Sequence, residues 1–588
     1  MDDYIEECFS RVAKSSVIVL DTETNGLDWR ENHIVGYVFS VGPDPSDQYY
    51  LPVRHKSGPN YDPGQIAARI RDEVASRTNL RVIFHNASFD LHMLANEGIN
   101  LSAEIHDTMI NAALIDENVG KYSLDACAQR SGVQAKKGDE LYTRIAEIVG
   151  CKADRNSMAH YWELPGDDPV AIEYATGDGI TTYQLWQHQQ SLLAAQELQT
   201  VHKVECDLIP VLHRMERRGV AISEKRLDEV VGIVDDRLIT ARAVLGDLNV
   251  RSSVQVRKLM ETAGHTDWPL TDKGNPSFTE PWLSTFELGQ SILVIRKLSN
   301  LQNSFLGPMK ERHMYHGRVH ATFNQLKQDD YGTVTGRLSS SSPNMQQVPK
   351  RDYDLGSLFR SIFIPDDGMT ICEADYSQCE FRLFAFYSQS KVLKEGYRAD
   401  PPVDIHTQVA TMLGVDRDPT AKRMNMGLMV GMGAKALAGH LGITVDEGSR
   451  WHSEYHEKMP EAKIFAKRAE QAARQRGWVK TLIGRRRHFP DPNFTYKAGN
   501  AIIQGANADI IKIKMVEVDQ YLNSVGGSLL LSIHDSLVFQ YPDGRDDIRE
   551  GVVRIMGDVG PDSLMPLDVP MVVDFKYGKD WNIATYGV

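Results

Sequence analysis

Four apolar runs along the chain end on or near acidic residues, and the spacing around each predicts a short element that delivers a carboxylate. Ser16-Val-Ile-Val-Leu-Asp-Thr-Glu-Thr24 reads as a strand, and because strand side chains alternate in direction, Asp21 and Glu23 share one face. Arg81-Val-Ile-Phe84 reads as a second strand running into His85-Asn-Ala-Ser-Phe-Asp90, which places a third acid where a helix begins. Met369 to Ala374 suits a buried strand ending at Asp375, and residues 377–387 then show helical spacing at Phe381, Phe384 and Ala385. Ser528-Leu-Leu-Leu-Ser-Ile533 and Ser536-Leu-Val-Phe-Gln-Tyr541 are two strands joined by a tight turn bearing His534 and Asp535.

Elsewhere the period is helical. Tyr174 and Asp178 stand four apart, which on a helix puts a phenol and a carboxylate on one face. Residues 196–217 carry helical spacing at Leu208, Val211, Leu212 and Met215 that stops at Gly219, and a long helix is expected from Ser223. Phe286 to Met314 is another amphipathic stretch, with Arg296, Lys297, Lys310 and Arg312 dispersed along it. Asp418-Pro419 is a helix start signal, after which Lys422, Met426 and Val430 stack at four-residue steps. Thr335 to Pro349 has no period and reads as a polar loop.

At 588 residues the chain is long enough for several domains. Its 42% hydrophobic and 24% charged content is that of a globular protein, and no apolar run approaches the roughly 18 residues of a membrane span. Asp2, Asp3, Glu6 and Glu7 at the start argue against a signal or transit peptide, so a cytoplasmic location is expected. Six scattered cysteines without CxxC pairs suggest neither disulfides nor zinc. The net charge of −14 opposes nucleic-acid binding only weakly, because metal-site carboxylates raise the acidic count and Arg485-Arg-Arg487 offers a local basic cleft.

Two strand-end acids, Asp375 and Asp535, invite a pair of divalent ions about 4 Å apart of the kind nucleotidyl transfer uses. Asp375-Tyr-Ser-Gln-Cys-Glu-Phe-Arg382 and the later His534-Asp535 resemble the two palm motifs of family A DNA polymerases, the group that includes bacterial DNA polymerase I. Asp21-Thr-Glu23, Asn86-Ala-Ser-Phe-Asp90 and Tyr174-Ala-Thr-Gly-Asp178 resemble, in order, the three motifs of DnaQ-like 3′-5′ exonucleases. The compact two-activity chain also resembles bacteriophage replicative polymerases, and no 5′-nuclease domain is expected ahead of it.

These resemblances imply an α/β and α+β multidomain fold. A ribonuclease H-like exonuclease domain over 1–195 would be followed by a right-hand polymerase: thumb 196–320, first part of the palm 321–395, fingers and adjoining helices 396–515, second part of the palm 516–588. Asp375, Asp535 and the Tyr376 carbonyl would hold two Mg²⁺, with Mn²⁺ as a substitute, and Asp21, Glu23, Asp90 and Asp178 two more. Tyr174 would orient the attacking water and Asn86 would lie near the terminal nucleotide. Arg337, Asn344, Gln346, Asn500 and Gln504 would contact primer-template DNA, and thumb basic residues its phosphates. Lys422 would serve the triphosphate as a general acid, His406 would touch it, Gln378 and His534 would lie beside the substrate, and Glu380 would exclude ribonucleotides. The chain departs from the family pattern at four positions: Asp418 in the arginine position with Arg417 beside it, Met426 for the stacking aromatic, Val430 for tyrosine, and Ser536 for glutamate. The expected enzyme is therefore a template-directed DNA polymerase with proofreading, acting on primer-template and deoxynucleoside triphosphates. It is expected to be a monomer without membrane association, in the host cytoplasm if bacteriophage-encoded, alongside phage or host replication proteins such as a helicase and a single-strand-binding protein. The second reading, an exonuclease with a non-catalytic polymerase-like DNA-binding half, is motivated by those four departures.

Overall fold

The expected strand at 17–24 forms, and it becomes the middle of a sheet in a computed structural model that describes residues 2–133, 138–271, 273–325, 333–350, 352–429 and 431–587. β1 (Val17–Thr24), β2 (Ile34–Ser40) and β3 (Gln48–Pro52) make an antiparallel meander. β4 (Arg81–Phe84) adds parallel to β1 and β5 (Glu104–Asp107) parallel to β4, giving the order β3-β2-β1-β4-β5. Helix α1 (Ala87–Asn96) follows β4, α2 (Thr108–Ile115) follows β5, and α3 (Pro169–Ala195) crosses the sheet.

α3 begins where Asp168 accepts from the Val170 and Ala171 amides, with Pro169 pre-set for the first turn. It touches the sheet at Gly179: a Cβ there would lie 2.8 Å from Gln48 Oε1 and 3.1 Å from Val38 Cγ1. The missing side chain lets the helix come down far enough to bring the adjacent Asp178 against β1.

α4 (Gln199–Arg218) ends, as the spacing predicts, at Gly219, whose φ of 61° few other residues tolerate. It packs against β5 and α1 on one side and the long helix at 498–525 on the other, so it is the spine shared by both halves. α5 (Glu224–Leu245) starts at Ser223, whose hydroxyl accepts from the Arg226 amide, and α6 (Glu287–Leu301) packs beside it. Val256, Met260, Leu283, Ile292 and Ile295 form a small core of their own there. Arg296, expected to face phosphate, instead donates to the Val250 and Phe278 carbonyls at 2.8 and 2.9 Å. Lys297 pairs with Glu280 and Asp352, and Lys310 with Asp228. Arg312 is exposed.

The second sheet comes from β6 (Met369–Tyr376), followed by α7 (Cys379–Ser388), α8 (Ile405–Leu413), α9 (Lys422–Leu428), α10 (Ala498–Val525), β7 (Ser528–Ile533), β8 (Ser536–Pro542) and β9 (Val573–Gly578). Its order is β7-β8-β6-β9, antiparallel throughout. α10 covers β7, and the residues of β7 are all buried. The helix after Asp375 starts two residues later than its apolar spacing suggested, because Gln378 takes a left-handed turn at φ 56°. Asp418 is extended, as the residue before a proline must be, and the regular turns of α9 begin only at Lys422 and end at Leu428. The expected stack therefore contains Lys422 and Met426, and Val430 lies outside the described residues.

The Arg485-Arg-Arg487 run does not present three free cations to a cleft. Arg485 is buried and donates to Asp509 on α10 at 2.6 Å and to Glu205 on α4 at 2.5 Å, and Lys512 reaches the same Glu205 oxygen at 2.6 Å. Burial pushes the Glu205 carboxyl up, but Lys512 and Arg485 outweigh it and hold it down at about 2. The stabilisation is present above the carboxyl's ordinary 4.5 and lost as the pH falls toward 2. Arg486 lies 3.9 Å over the Trp478 ring, and Arg487 donates to Glu117 and Asn118 of the first half at 2.7 and 2.6 Å. Arg485→Ala should therefore cost stability, about 3–5 kcal/mol for a broken buried pair, read from the urea midpoint. Unchanged stability with weakened DNA binding would restore the cleft reading.

Candidate metal centres

Asp375 and Asp535 meet because β6 and β8 pair in the register Asp375 to Ser536, which sets the hairpin turn beside the end of β6. The Tyr376 amide reaches the Asp535 carbonyl at 3.4 Å, and His534 makes the turn with φ 59°. Asp375 Oδ2 accepts from Lys350 Nζ at 3.3 Å, whereas its Oδ1 is enclosed by protein and, among the described residues, has no hydrogen-bond partner. Burial and the charge of Asp375 push Asp535 up to about 7; burial also raises Asp375, against the pull of Lys350. Two acids in mutual repulsion, one with a bare enclosed oxygen, are a donor set suited to a hard divalent cation.

Asp535 lines a cleft of about 1160 Å³ together with Gln346, Lys350, Lys422 and His534. Arg337, Gln346 and His534 also line a narrower recess with Asn507 and Lys512. Gln346 donates to the Ser532 carbonyl at 3.2 Å, and Asn344 accepts from the Gln346 amide. Glu380 is paired with Arg337, and Gln378 accepts from the Tyr397 hydroxyl at 3.1 Å. The Tyr376 side chain is buried, its hydroxyl donating to the Met556 carbonyl.

The residues between 404 and 426 stand differently. His406 is buried, 3.1 Å from Asn425 and edge-on to Phe381. Arg417 is held by Asp404 at 2.5 Å and by Asp418. Met426 is 44% exposed. Asn500 and Gln504 are half-buried, one turn apart on α10.

In the first half, ligand atoms of Asp21, Glu23 and Asp178 all lie within 4.8 Å of one another. Period two on β1 and the close approach at Gly179 produce that triad. Asp90 is buried and tied to Thr22, accepting from its amide at 3.0 Å and its hydroxyl at 2.7 Å; burial, with the charge of Asp21, holds it well above the usual carboxylate range. Tyr174 sits one turn before Asp178, its ring 6.3 Å from Tyr161. Asn86 takes φ 74°, a conformation held by Asp107, which accepts from the Asn86, Ala87 and Met109 amides. Asn86 and Asp107 line a cavity of about 270 Å³ closed on its other side by Thr322, Phe323, Asn324 and Gln325 of the second half.

Asp107 and Lys350 escaped the sequence reading. Asp107 had a weak signal, an acid before a helix; a lone lysine after Pro349 had none. Among the described residues His106, His202 and Cys206 also cluster. Trp186 donates to His106 Nδ1 at 3.3 Å, which leaves the hydrogen on Nε2 facing Glu104 at 3.1 Å. That imidazole has no lone pair for an ion, and the cluster is interior packing between β5 and α4.

The chain matches the family model for DNA polymerase family A over residues 225–583 and that for a 3′-5′ exonuclease over residues 2–194. It is 30% identical to DNA polymerase DpoZ of Acinetobacter phage SH-Ab 15497, over 98% of this chain and 99% of the relative. It is 28% identical to DNA polymerase I of Pseudomonas aeruginosa, over 98% of this chain and 64% of the relative. Among solved structures, the POL domain of Pol1 from M. smegmatis, in complex with DNA primer-template and dNTP, superposes with a TM-score of 0.81 at 22% identity over 99% of each chain.

Proposed function

This chain belongs to DNA polymerase family A and carries a 3′-5′ exonuclease domain, and on that premise we propose how its residues divide the two activities. It is a DNA-directed DNA polymerase, and both activities of its family depend on metal ions. The two-metal mechanism is general to the family. Among the described residues no helix is long and apolar enough to cross a membrane.

The proposal rests chiefly on one observation: Asp535, paired across the strand end with Asp375, lines the same cleft as Lys422, and Asp375 keeps an enclosed Oδ1 without a hydrogen-bond partner among the described residues. Asp375, Asp535 and the Tyr376 carbonyl would hold two Mg²⁺, which when bound supply Lewis-acid stabilisation of charge developing at the reacting phosphate. Lys422 offsets the triphosphate charge and passes a proton to the departing pyrophosphate. Glu380, fixed by Arg337, stands where a ribose 2′-hydroxyl would enter. Gln378 and His534 face the substrate. Arg337, Asn344, Gln346, Asn500 and Gln504 align the primer-template. His406 and Arg417 approach the phosphates only once the Asn425 and Asp404 contacts loosen. In the exonuclease domain Asp21, Glu23, Asp90 and Asp178 would hold the second pair of ions, Tyr174 orients the attacking water, and Asn86 meets the terminal nucleotide. The reading places the enzyme on replicating DNA in the cytoplasm.

Primer extension on a templated 5′ overhang, with Mg²⁺ and after its removal by chelation, tests the assignment. Metal-dependent extension is the expected result; primer shortening without extension would leave the polymerase half a binding scaffold.

Glu380→Ala should raise the ratio of ribonucleotide to deoxynucleotide incorporation by at least about tenfold, the equivalent of roughly 1.4 kcal/mol. An unchanged ratio would remove Glu380 from the gate.

Met426 is exposed on α9 rather than packed into the core, so it is available to meet an incoming base. Stacking on an aromatic ring is worth about 1–3 kcal/mol per base, of which a thioether keeps only part. Met426→Phe should thus tighten apparent nucleotide affinity several-fold in pre-steady-state single-nucleotide incorporation, with primer degradation unchanged. Equal or weaker affinity in the folded variant would sink the stacking account.

A further inference from the structure

Lys350 leaves the loop after Pro349 and places its ammonium between two acids of β6, 2.9 Å from Glu373 Oε1 and 3.3 Å from Asp375 Oδ2. The two acids stand two residues apart on a strand and therefore face the same way. They are not equivalent. Glu373 is buried, and its other oxygen already accepts from Trp581 Nε1 at 2.8 Å and the Thr585 hydroxyl at 2.6 Å, with Arg360 at 3.5 Å. Its position is fixed from behind. Asp375 is half-buried, and its enclosed Oδ1 has no hydrogen-bond partner among the described residues. Lys350 itself remains 46% exposed and lines the cleft beside Lys422, His534 and Asp535.

We propose that Lys350 is a positioning residue and the resident counter-charge of the polymerase centre. Anchored by Glu373, it holds Oδ2 of Asp375 and so fixes the carboxylate beside the cleft that Lys350 and Asp535 line. Its single positive charge offsets the repulsion between Asp375 and Asp535 while no ion is bound. When a divalent cation needs both oxygens of Asp375, Lys350 retreats onto Glu373, which keeps it from being stranded without a partner. A cation that must be displaced competes with the ion that displaces it, so the native lysine weakens divalent binding in exchange for a preformed site. The inference rests on Asp375 and Asp535 being ion ligands.

The test uses the full chain carrying Asp21→Ala and Glu23→Ala, which removes two of the four proposed exonuclease ligands. Mn²⁺ binding is followed directly by electron paramagnetic resonance for Lys350, Lys350→Met and Lys350→Arg, with circular dichroism to establish that each variant is folded. Lys350→Met should bind Mn²⁺ more tightly, on the order of tenfold, because an opposing charge a few ångströms away is gone. Lys350→Arg, which keeps the charge, should stay within about twofold of the lysine protein. The half-saturating Mg²⁺ for primer extension should fall in parallel in the Met variant. A purely structural lysine would lower thermal stability without moving Mn²⁺ affinity. Unchanged or weaker binding in Lys350→Met, or equal tightening in Lys350→Arg, overturns the counter-charge role. A further arm adds Asp375→Ala: if Mn²⁺ binding survives it undiminished, the ion-site assignment fails and the Lys350 role falls with it.

Discussion

Asp375→Ala and Asp535→Ala should each reduce primer extension by roughly a thousandfold or more, since loss of an ion ligand removes several kcal/mol of transition-state stabilisation. Primer degradation should continue at the native rate. The acids proposed for extension come from β6 and the β7–β8 turn, and those proposed for the exonuclease from β1, α1 and α3, around a different sheet. Neither substitution should unfold the protein. Asp535 is an acid whose folded pKa is raised from 3.8 to about 7, so the folded state keeps its proton longer than the unfolded one. Its burial therefore costs stability as the pH rises through that window, and above pH 7 the full cost is present. Removing the carboxyl removes the cost. The Asp535→Ala melting temperature at pH 8, without metal, should equal or exceed the native value. A lower one, or loss of both activities in a folded variant, would contradict separate sites.

The converse change has a comparable expected size. Asp21→Ala with Glu23→Ala should lower removal of a mismatched 3′-terminal nucleotide by about a thousandfold on the same reasoning, leaving correct extension intact. The triad within 4.8 Å loses two of its three members, and Asp178 alone is a poor divalent site. Quenched-flow cleavage of a labelled mismatched primer gives the rate, and a matched primer in the same preparation gives the control. Residual cleavage within tenfold of native would mean that Asp90 and Asp178 suffice.

Some of this was open to direct reading because its cause is local. The alternation on β1 places Asp21 and Glu23 on one face whatever else the chain does. Four-residue spacing does the same for Tyr174 and Asp178 on α3. Gly219 ends α4, and Ser223 starts α5, through contacts that span no more than a few residues.

Partners far apart in the chain were invisible for the same reason. Arg485 looked like one of three free cations until Glu205, 280 positions earlier, closed on it. Arg296 had the composition of a phosphate contact and the geometry of a loop anchor. Asp418-Pro419 marked a helix start correctly in kind, with Asp418 extended as an N-cap is, but the regular turns of α9 begin only at Lys422. Lys350 carried no motif at all.

The sequence alone determined which carboxylates exist, on which strands and helices they ride, and that they fall into two groups, because backbone period and turn chemistry act over a few residues. The tertiary structure alone decided which acid keeps a bare oxygen, which lysine stands against it, and which arginines are spent inside the protein. A charge takes its role from whichever opposite charge folding brings within about 3 Å, and for Glu205 those partners, Arg485 and Lys512, lie 280 and 307 residues away.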